Sequence, residues 1–224
     1  MEDQSKKVLC LAALAALAGK AATAAVIGGA ITGGTAANDP AAQFVQLDPL
    51  ATFSVGNNTF QDNNLYAFDE DQNIIIPSTI SVDVGTNPTA GDVVASHYVF
   101  FDPGPTRSQI GYVDFDADIF GIATSTATLS ASDFLLNNSV SYLNPSLRGL
   151  ESGDSVFIDS TDPKRLRVDW TASTPGDYVR VFTRQSQSGP DPRPPGVVPL
   201  PAGAPLLLGA LGLLALLRRR SLDT

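Results

Sequence analysis

Apolar residues recur at every second position in several short runs of this chain. Ile80, Val82 and Val84 alternate with Ser81, Asp83 and Gly85. Val113, Phe115, Ala117 and Ile119 alternate with Asp114, Asp116 and Asp118. Leu166, Val168 and Trp170 alternate with Arg167, Asp169 and Thr171, and Val179 and Val181 alternate with Tyr178, Arg180 and Phe182. Successive side chains on a strand point to opposite faces, so each run predicts a strand with one core face and one wetter face. Val93–Phe101 is longer and more continuously apolar, the pattern of a central strand.

Turn chemistry separates these runs, at Asn57-Asn58, Gly85-Thr-Asn-Pro88, Asp102-Pro-Gly-Pro105, Asn144-Pro145, Asp162-Pro163 and Pro175-Gly176. Helical periodicity is scarce. One short helix is predicted where Ser130 or Ser132 caps a turn carrying Phe134, Leu135 and Leu136. Short strands at roughly 8–12-residue spacing predict an all-β fold: a single jelly-roll-like β-sandwich over residues 38–184. A Pro-rich linker, extended and semi-rigid, follows over residues 185–197.

Both ends of the chain differ from this body. Lys6 and Lys7 precede an apolar stretch over residues 8–18, and Ala22-Thr23-Ala24 offers a small-x-small cleavage site. Residues 1–24 therefore read as a secretory signal peptide, with Ala22 and Ala24 at the cleavage site. Lys20 interrupts the apolar character and residues 26–34 are again small and apolar, so the cleavage point extends as late as residue 37, and an uncleaved N-terminal anchor is the runner-up. Cys10 is the only cysteine, and Lys7 just before it argues against a lipoprotein. Removal of the leader leaves no cysteine, which excludes a disulfide framework and a thiol nucleophile.

At the other end, Val198-Pro199-Leu200-Pro201-Ala202 opens an uncharged apolar run over residues 202–217, and Arg218, Arg219 and Arg220 close it. A 16-residue helix spans about 24 Å, a minimal crossing of a hydrocarbon core of about 30 Å. The three arginines resist translocation and hold the C-terminus on the cytoplasmic side, leaving the body outside. A buried core helix is the competing reading, and the terminal position and triple-Arg stop weigh against it.

In this order, Val198-Pro199-Leu200-Pro201-Ala202, apolar helix and Arg cluster, the tail resembles the VPLPA variant of the PEP-CTERM sorting signal over residues 198–220. The resemblance implies recognition of Val198 to Ala202 by an exosortase-type sorting enzyme, after which the helix is removed or exchanged. It implies export through the secretion machinery of a Gram-negative bacterium that makes extracellular polysaccharide. The precursor would be anchored in the inner membrane by its C-terminal helix, and the product would reach the cell surface or the medium. The segment from Arg148 through Trp170 to Thr183 is also similar to the closing part of many PEP-CTERM ectodomains. Such tails sit on unrelated bodies, so the resemblance assigns no role to the domain being sorted.

Charge narrows the partners. Residues 25–197 hold 20 acidic and 8 basic side chains, a net charge near −12. Such a surface repels nucleic acid and anionic membranes and attracts divalent cations. Asp114, Asp116 and Asp118 place three oxygen donors at i, i+2 and i+4, as at the start of a calcium loop. Ile119 stands where an EF-hand needs glycine and Ser125 where it needs the bidentate Glu, and a strand with an acidic solvent face accounts for the same pattern. Calcium is thus a candidate cofactor with these three residues as its ligands. Asp69-Glu70-Asp71 reads as a solvated turn.

Catalytic constellations are sparse. His97 is the only histidine and sits in an apolar strand, which predicts a packed side chain; a triad would need it accessible and joined to a serine and an acid. No Gly-x-Ser-x-Gly elbow occurs, and one His without Cys makes no His/Cys zinc site. Glu70 and Glu151 are the only glutamates of the body and stand in no hydrolase motif. Trp170, Tyr98, Tyr112 and Tyr178 are candidates for a sugar-stacking platform, but aromatics also fill sandwich cores, and Trp170, in phase with Leu166 and Val168, is expected in the core. The leading expectation is a non-catalytic, exported cell-surface or matrix protein associated with exopolysaccharide or biofilm. A carbohydrate-binding module, assisted by calcium, is the alternative, and a secreted hydrolase the weakest one.

Overall fold

The computed structural model describes residues 26–56, 58–187 and 192. The signal peptide expected with Ala22 and Ala24, the expected sorting motif Val198 to Ala202, the expected span at 202–217 and its stop at Arg218 to Arg220 all lie outside these residues. Residues up to Pro190 form one compact unit, and of the unit from Asp191 onward only Pro192 is described. Among the described residues no helix is long and apolar enough to cross a membrane.

The fold is all-β. Its strands are β1 (Val26–Gly33), β2 (Phe44–Gln46), β3 (Phe53–Val55), β4 (Leu65–Asp69), β5 (Ile74–Ile75), β6 (Val84–Gly85), β7 (Val93–Phe101), β8 (Arg107–Phe115), β9 (Ile119–Ala123), β10 (Val140–Tyr142), β11 (Ser155–Ile158), β12 (Arg165–Ala172) and β13 (Asp177–Arg184). One sheet is antiparallel with order β1-β8-β12-β11. The other runs β2-β4-β7-β13-β9-β6, with β5 also on β7. The parallel pair β3–β10 stands apart from both.

The alternation explains how the two large sheets meet. Val113, Phe115, Leu166, Val168 and Trp170 from the four-stranded sheet share one core with Ala67, Val99, Phe101, Val179 and Val181 from the seven-stranded sheet. A second core lies on the opposite face of the larger sheet. There Phe68, Tyr98, Phe100, Tyr178 and Phe182 pack against Val55, Val140, Leu129 and Leu135, which come from β3, β10 and the helical segment. The larger sheet is therefore a middle layer buried on both faces. This corrects the wetter face expected of β13, whose Tyr178, Arg180 and Phe182 are all buried. It also accounts for the unbroken apolar run of β7, since a strand covered on both sides has no solvent face to keep polar.

Three other expectations change. The run from Val113 to Ile119 is not one strand: β8 ends at Phe115 in the smaller sheet and β9 begins at Ile119 in the larger one. Alternation survives the crossing because Ala117 and Ile119 still face inward. Of the run at 80–85 only Val84–Gly85 pairs as a strand, while Ile80 is buried from a loop. Helix α1 (Thr126–Ala131) starts earlier than predicted. Ser125 caps it, and its hydroxyl and that of Thr128 satisfy each other's backbone N–H groups in a capping box. Ser130 lies inside the helix and Ser132 ends it, and Phe134 and Leu135 follow in a 3-10 turn at Asp133–Leu135.

Residues 26–33, small and apolar in sequence, form an edge strand of the smaller sheet. β1 pairs along β8 from Val26 opposite Phe115 to Gly33 opposite Ile110. Val26 is buried; its N–H donates to Asp69 Oδ1 at 3.2 Å and its carbonyl accepts from Gln46 Nε2 at 2.9 Å.

Candidate functional site

The only histidine does find an acid and a hydroxyl. Asp69 ends β4, His97 lies opposite it on β7, and Thr183 is on the neighbouring β13. His97 Nδ1 is 2.7 Å from Asp69 Oδ1, and Nε2 is 3.0 Å from Thr183 Oγ1. The order acid–imidazole–hydroxyl matches a catalytic triad in connectivity. Its setting does not. All three side chains are buried and the imidazole packs against the Phe115 ring at 4.9 Å, so Thr183 Oγ1 offers no surface to a substrate carbonyl. With Val26 N–H also on Asp69, the cluster ties β1, β4, β7 and β13 together in the inter-sheet core.

The turn expected at Asp69-Glu70-Asp71 is likewise interior, because Asp69 and Glu70 are both buried. Glu70 Oε2 accepts from Arg180 Nε at 2.6 Å and Ser96 Oγ at 2.7 Å; Oε1 accepts from Arg180 NH2 at 3.0 Å and the Tyr142 hydroxyl at 2.7 Å. Arg180 NH1 donates onward to the Leu129 carbonyl, Ser132 Oγ and Asp133 Oδ1. Asp133 in turn accepts a bidentate pair from Arg148. Burial, and then the negative charge of Glu70, push the Tyr142 phenol well above its usual range. The network fastens α1 and β10 to the second face of the larger sheet, with Glu70 and Arg180 fully enclosed and only Asp133 and Tyr142 partly exposed at its rim.

The three aspartates proposed for calcium are divided among separate partners. Asp114 on β8 receives Arg165 Nε at 2.6 Å and NH2 at 2.8 Å. Asp116 Oδ2 accepts from Ser186 Oγ at 2.7 Å, and its carbonyl accepts from Lys164 Nζ at 3.0 Å. Asp118 accepts the Arg184 N–H on its carbonyl. Asp116 and Asp118 line a cleft of about 210 Å³ that also holds Lys164 and Arg184, a mixed-charge lining. Among the described residues no group of three or more His, Cys, Asp or Glu is gathered for a metal ion. A larger polar cleft, about 450 Å³, is lined by Thr35, Asn38, Asp39, Asn63 and Arg107. There the Ala41 N–H, and then Asn63, hold the Asp39 carboxyl below its usual range.

Of the four aromatics proposed as a platform, Trp170, Tyr98 and Tyr178 are core, each about 1% exposed. Trp170 donates its indole N–H to Gln109 Oε1. Tyr112 alone faces outward, from the middle of the four-stranded sheet. Its cross-strand neighbours are Ala30 on β1 and Arg167 on β12, and Arg167 in turn faces Phe157 on β11. A row Ala30–Tyr112–Arg167–Phe157 thus crosses all four strands. Beside it runs a row Gly28–Asp114–Arg165. The guanidinium of Arg165 lies 4.1 Å from the Tyr112 ring centre and that of Arg167 5.4 Å. Arg167 Nε also reaches Asp159 at 2.7 Å. Phe157 is 50% exposed and Ile110, on the same face, 43%.

Phe157, Arg165 and Arg167 were not among the sequence candidates, yet two signals mark them. Phe157 stands out of phase between the inward Val156 and the half-buried Ile158. Of seven basic residues between positions 26 and 187, Lys164, Arg165 and Arg167 fall within four positions. No family model matches this chain, and neither a curated protein nor a solved structure does.

Proposed function

We propose that this chain is an exported cell-surface or extracellular-matrix protein, delivered by an exosortase-type system, whose jelly-roll-like β-sandwich body is non-catalytic. The ordered tail carries this reading: Val198-Pro199-Leu200-Pro201-Ala202, then the apolar run, then Arg218 to Arg220. The leader with Ala22 and Ala24 supports it, as does a body without cysteine and with a strong acidic excess. The non-catalytic part is supported by the enclosure of Thr183 beside His97, which denies a substrate the one hydroxyl paired to the histidine. Cleavage after Ala24 is the version that keeps β1 in its sheet.

Intact mass measurement of the mature product from the native host tests the reading, on washed cells and on medium. The expected mass lacks the N-terminal leader and everything beyond about Ala202. A product that retains residues 206–220 makes the tail an ordinary single-span anchor and overturns the sorting assignment. Replacing Pro199 and Pro201 together is expected to leave an unprocessed, membrane-retained precursor.

A second reading, a polysaccharide-binding module, is favoured by the outer face of the four-stranded sheet. That face carries a half-exposed Phe157 in register with Arg167 and Tyr112.

A further inference from the structure

Resting on the polysaccharide-binding reading, we propose that the outer face of the four-stranded sheet is its binding platform, and that it takes a neutral, extended polysaccharide chain lying across the strands. Register supplies the shape. Ala30, Tyr112, Arg167 and Phe157 are cross-strand neighbours, so with strands about 4.8 Å apart the row is about 14 Å long. Tyr112 and Phe157 stand two strands apart, about 10 Å. One sugar unit of an extended chain is about as long as one strand spacing, so a sugar on the Phe157 ring places the second sugar along over the Arg165–Tyr112 stack.

The surfaces along the row suit the apolar face of a pyranose. Phe157 presents its ring half exposed. Tyr112 is overlaid by the planar guanidinium of Arg165, and Arg167 continues the layer toward Phe157. C–H groups pack on aromatic and guanidinium planes through the same dispersion and quadrupole forces that act between aromatic and cationic side chains. The far end is left low by β1, where Gly28 and Ala30 carry almost no side chain. A Cβ added at Gly28 would meet nothing within 4 Å.

Charge selects a neutral ligand over an anionic one. Arg165 is already paired with Asp114, and Arg167 with Asp159, so the face sets donors beside acceptors instead of offering free cations. Sugar hydroxyls both donate and accept and can bridge such pairs. A polyanion would have to displace Asp114 and Asp159 while approaching a body with a net charge near −12. The patch area, about 200 Å² from the strand and residue spacings, is well below the ~800 Å² per partner of a stable protein interface. A second copy of the chain therefore fits it poorly.

The test is affinity electrophoresis of the full chain in mild detergent through gels containing hydroxyethylcellulose, galactomannan or alginate. The wild type is compared with Phe157→Ala, Arg167→Ala and Gly28→Trp, and melting curves verify that each variant is folded. Expected is retardation by a neutral polymer, weakened about tenfold in each of the three variants at unchanged melting temperature. Retardation equal in all four proteins overturns the platform and leaves the binding reading standing. Retardation by alginate alone, abolished by salt, overturns the neutral class. Failure of every polymer to retard the wild type defeats the binding reading itself, and a dimer that Gly28→Trp dissolves would then assign the face to self-association.

Discussion

Glu70 and Arg180 meet as a two-pronged pair across 110 positions of sequence, 2.6 and 3.0 Å apart, with no solvent access to either side chain. Both carboxylate oxygens and Arg180 Nη1 have further partners in Ser96, Tyr142, Leu129, Ser132 and Asp133, while Arg180 Nε and Nη2 are each taken up by Glu70. Taking two charges out of water is costly, and Coulomb attraction in the interior offsets this only when geometry and hydrogen bonding are complete, as here. Removing one partner strands the other. Arg180→Met or Glu70→Gln alone is expected to cost about 3–5 kcal/mol in urea unfolding. The double variant Glu70→Leu with Arg180→Met is expected to cost much less than the sum of the two singles. Additive losses in that cycle would contradict the coupling.

Asp177 opens β13 at the end of the inter-sheet core, 2% exposed, with Oδ2 lacking a hydrogen-bond partner among the described residues. Burial, and then the charges of Asp154 and Glu151, push its carboxyl up to about 8. The folded chain therefore keeps a proton there that the unfolded chain releases at about pH 4. Stability is full below pH 4 on this account and declines as pH rises to about 8, by at most about 1.4 kcal/mol per pH unit. Asp177→Asn removes the dependence. Unfolding titrations from pH 5 to 9 are expected to show the variant gaining steadily on the wild type, and parallel curves would refute the assignment.

His97 is enclosed, so a reagent that acylates imidazole should find it only after opening of the core. Modification by diethyl pyrocarbonate, followed by peptide mass, is expected to track global unfolding as urea is raised. Rapid modification in native buffer would show that the acid–imidazole–hydroxyl cluster opens to solvent and would revive a hydrolytic role. Thr183→Val deprives His97 Nε2 of its partner and is expected to cost about 1–3 kcal/mol.

Asp114 is held by Arg165 and the Asp116 carbonyl by Lys164, so calcium would have to compete with cations already in place. The melting temperature in millimolar calcium is expected to equal that in chelator. A rise with calcium that Asp114→Asn or Asp118→Asn abolishes would support the ligand set read from sequence.

The all-β class and the strands at 93–101 and 165–172 were legible because burial on one or both faces writes a period of two, or a continuous apolar run, directly into the residues. What stayed illegible depends on layers. Tyr178, Arg180 and Phe182 look like a solvent face until α1, β3 and β10 cover them. The switch of sheets at Asp116–Asp118 leaves the alternation intact, since inside remains inside on either sheet. Glu70 looks solvated because its partner lies far along the chain. The outer row on the smaller sheet needed register: Tyr112, Arg167 and Phe157 are scattered in sequence and become neighbours only when β8, β12 and β11 align.

If residues 1–24 are a leader that is removed, the pairing of Val26–Gly33 gives the point of removal a mechanical meaning. A cut after Ala24 frees β1 with its buried Val26 still able to reach Asp69 and Gln46. A cut near Ala37 would discard that strand and bare β8 from Ile110 to Phe115, a row of unpaired amides beside Tyr112. Edges of that kind recruit strands from other molecules. The choice of peptide bond would then also decide whether β1 or β8 is the edge that this sheet presents to other molecules.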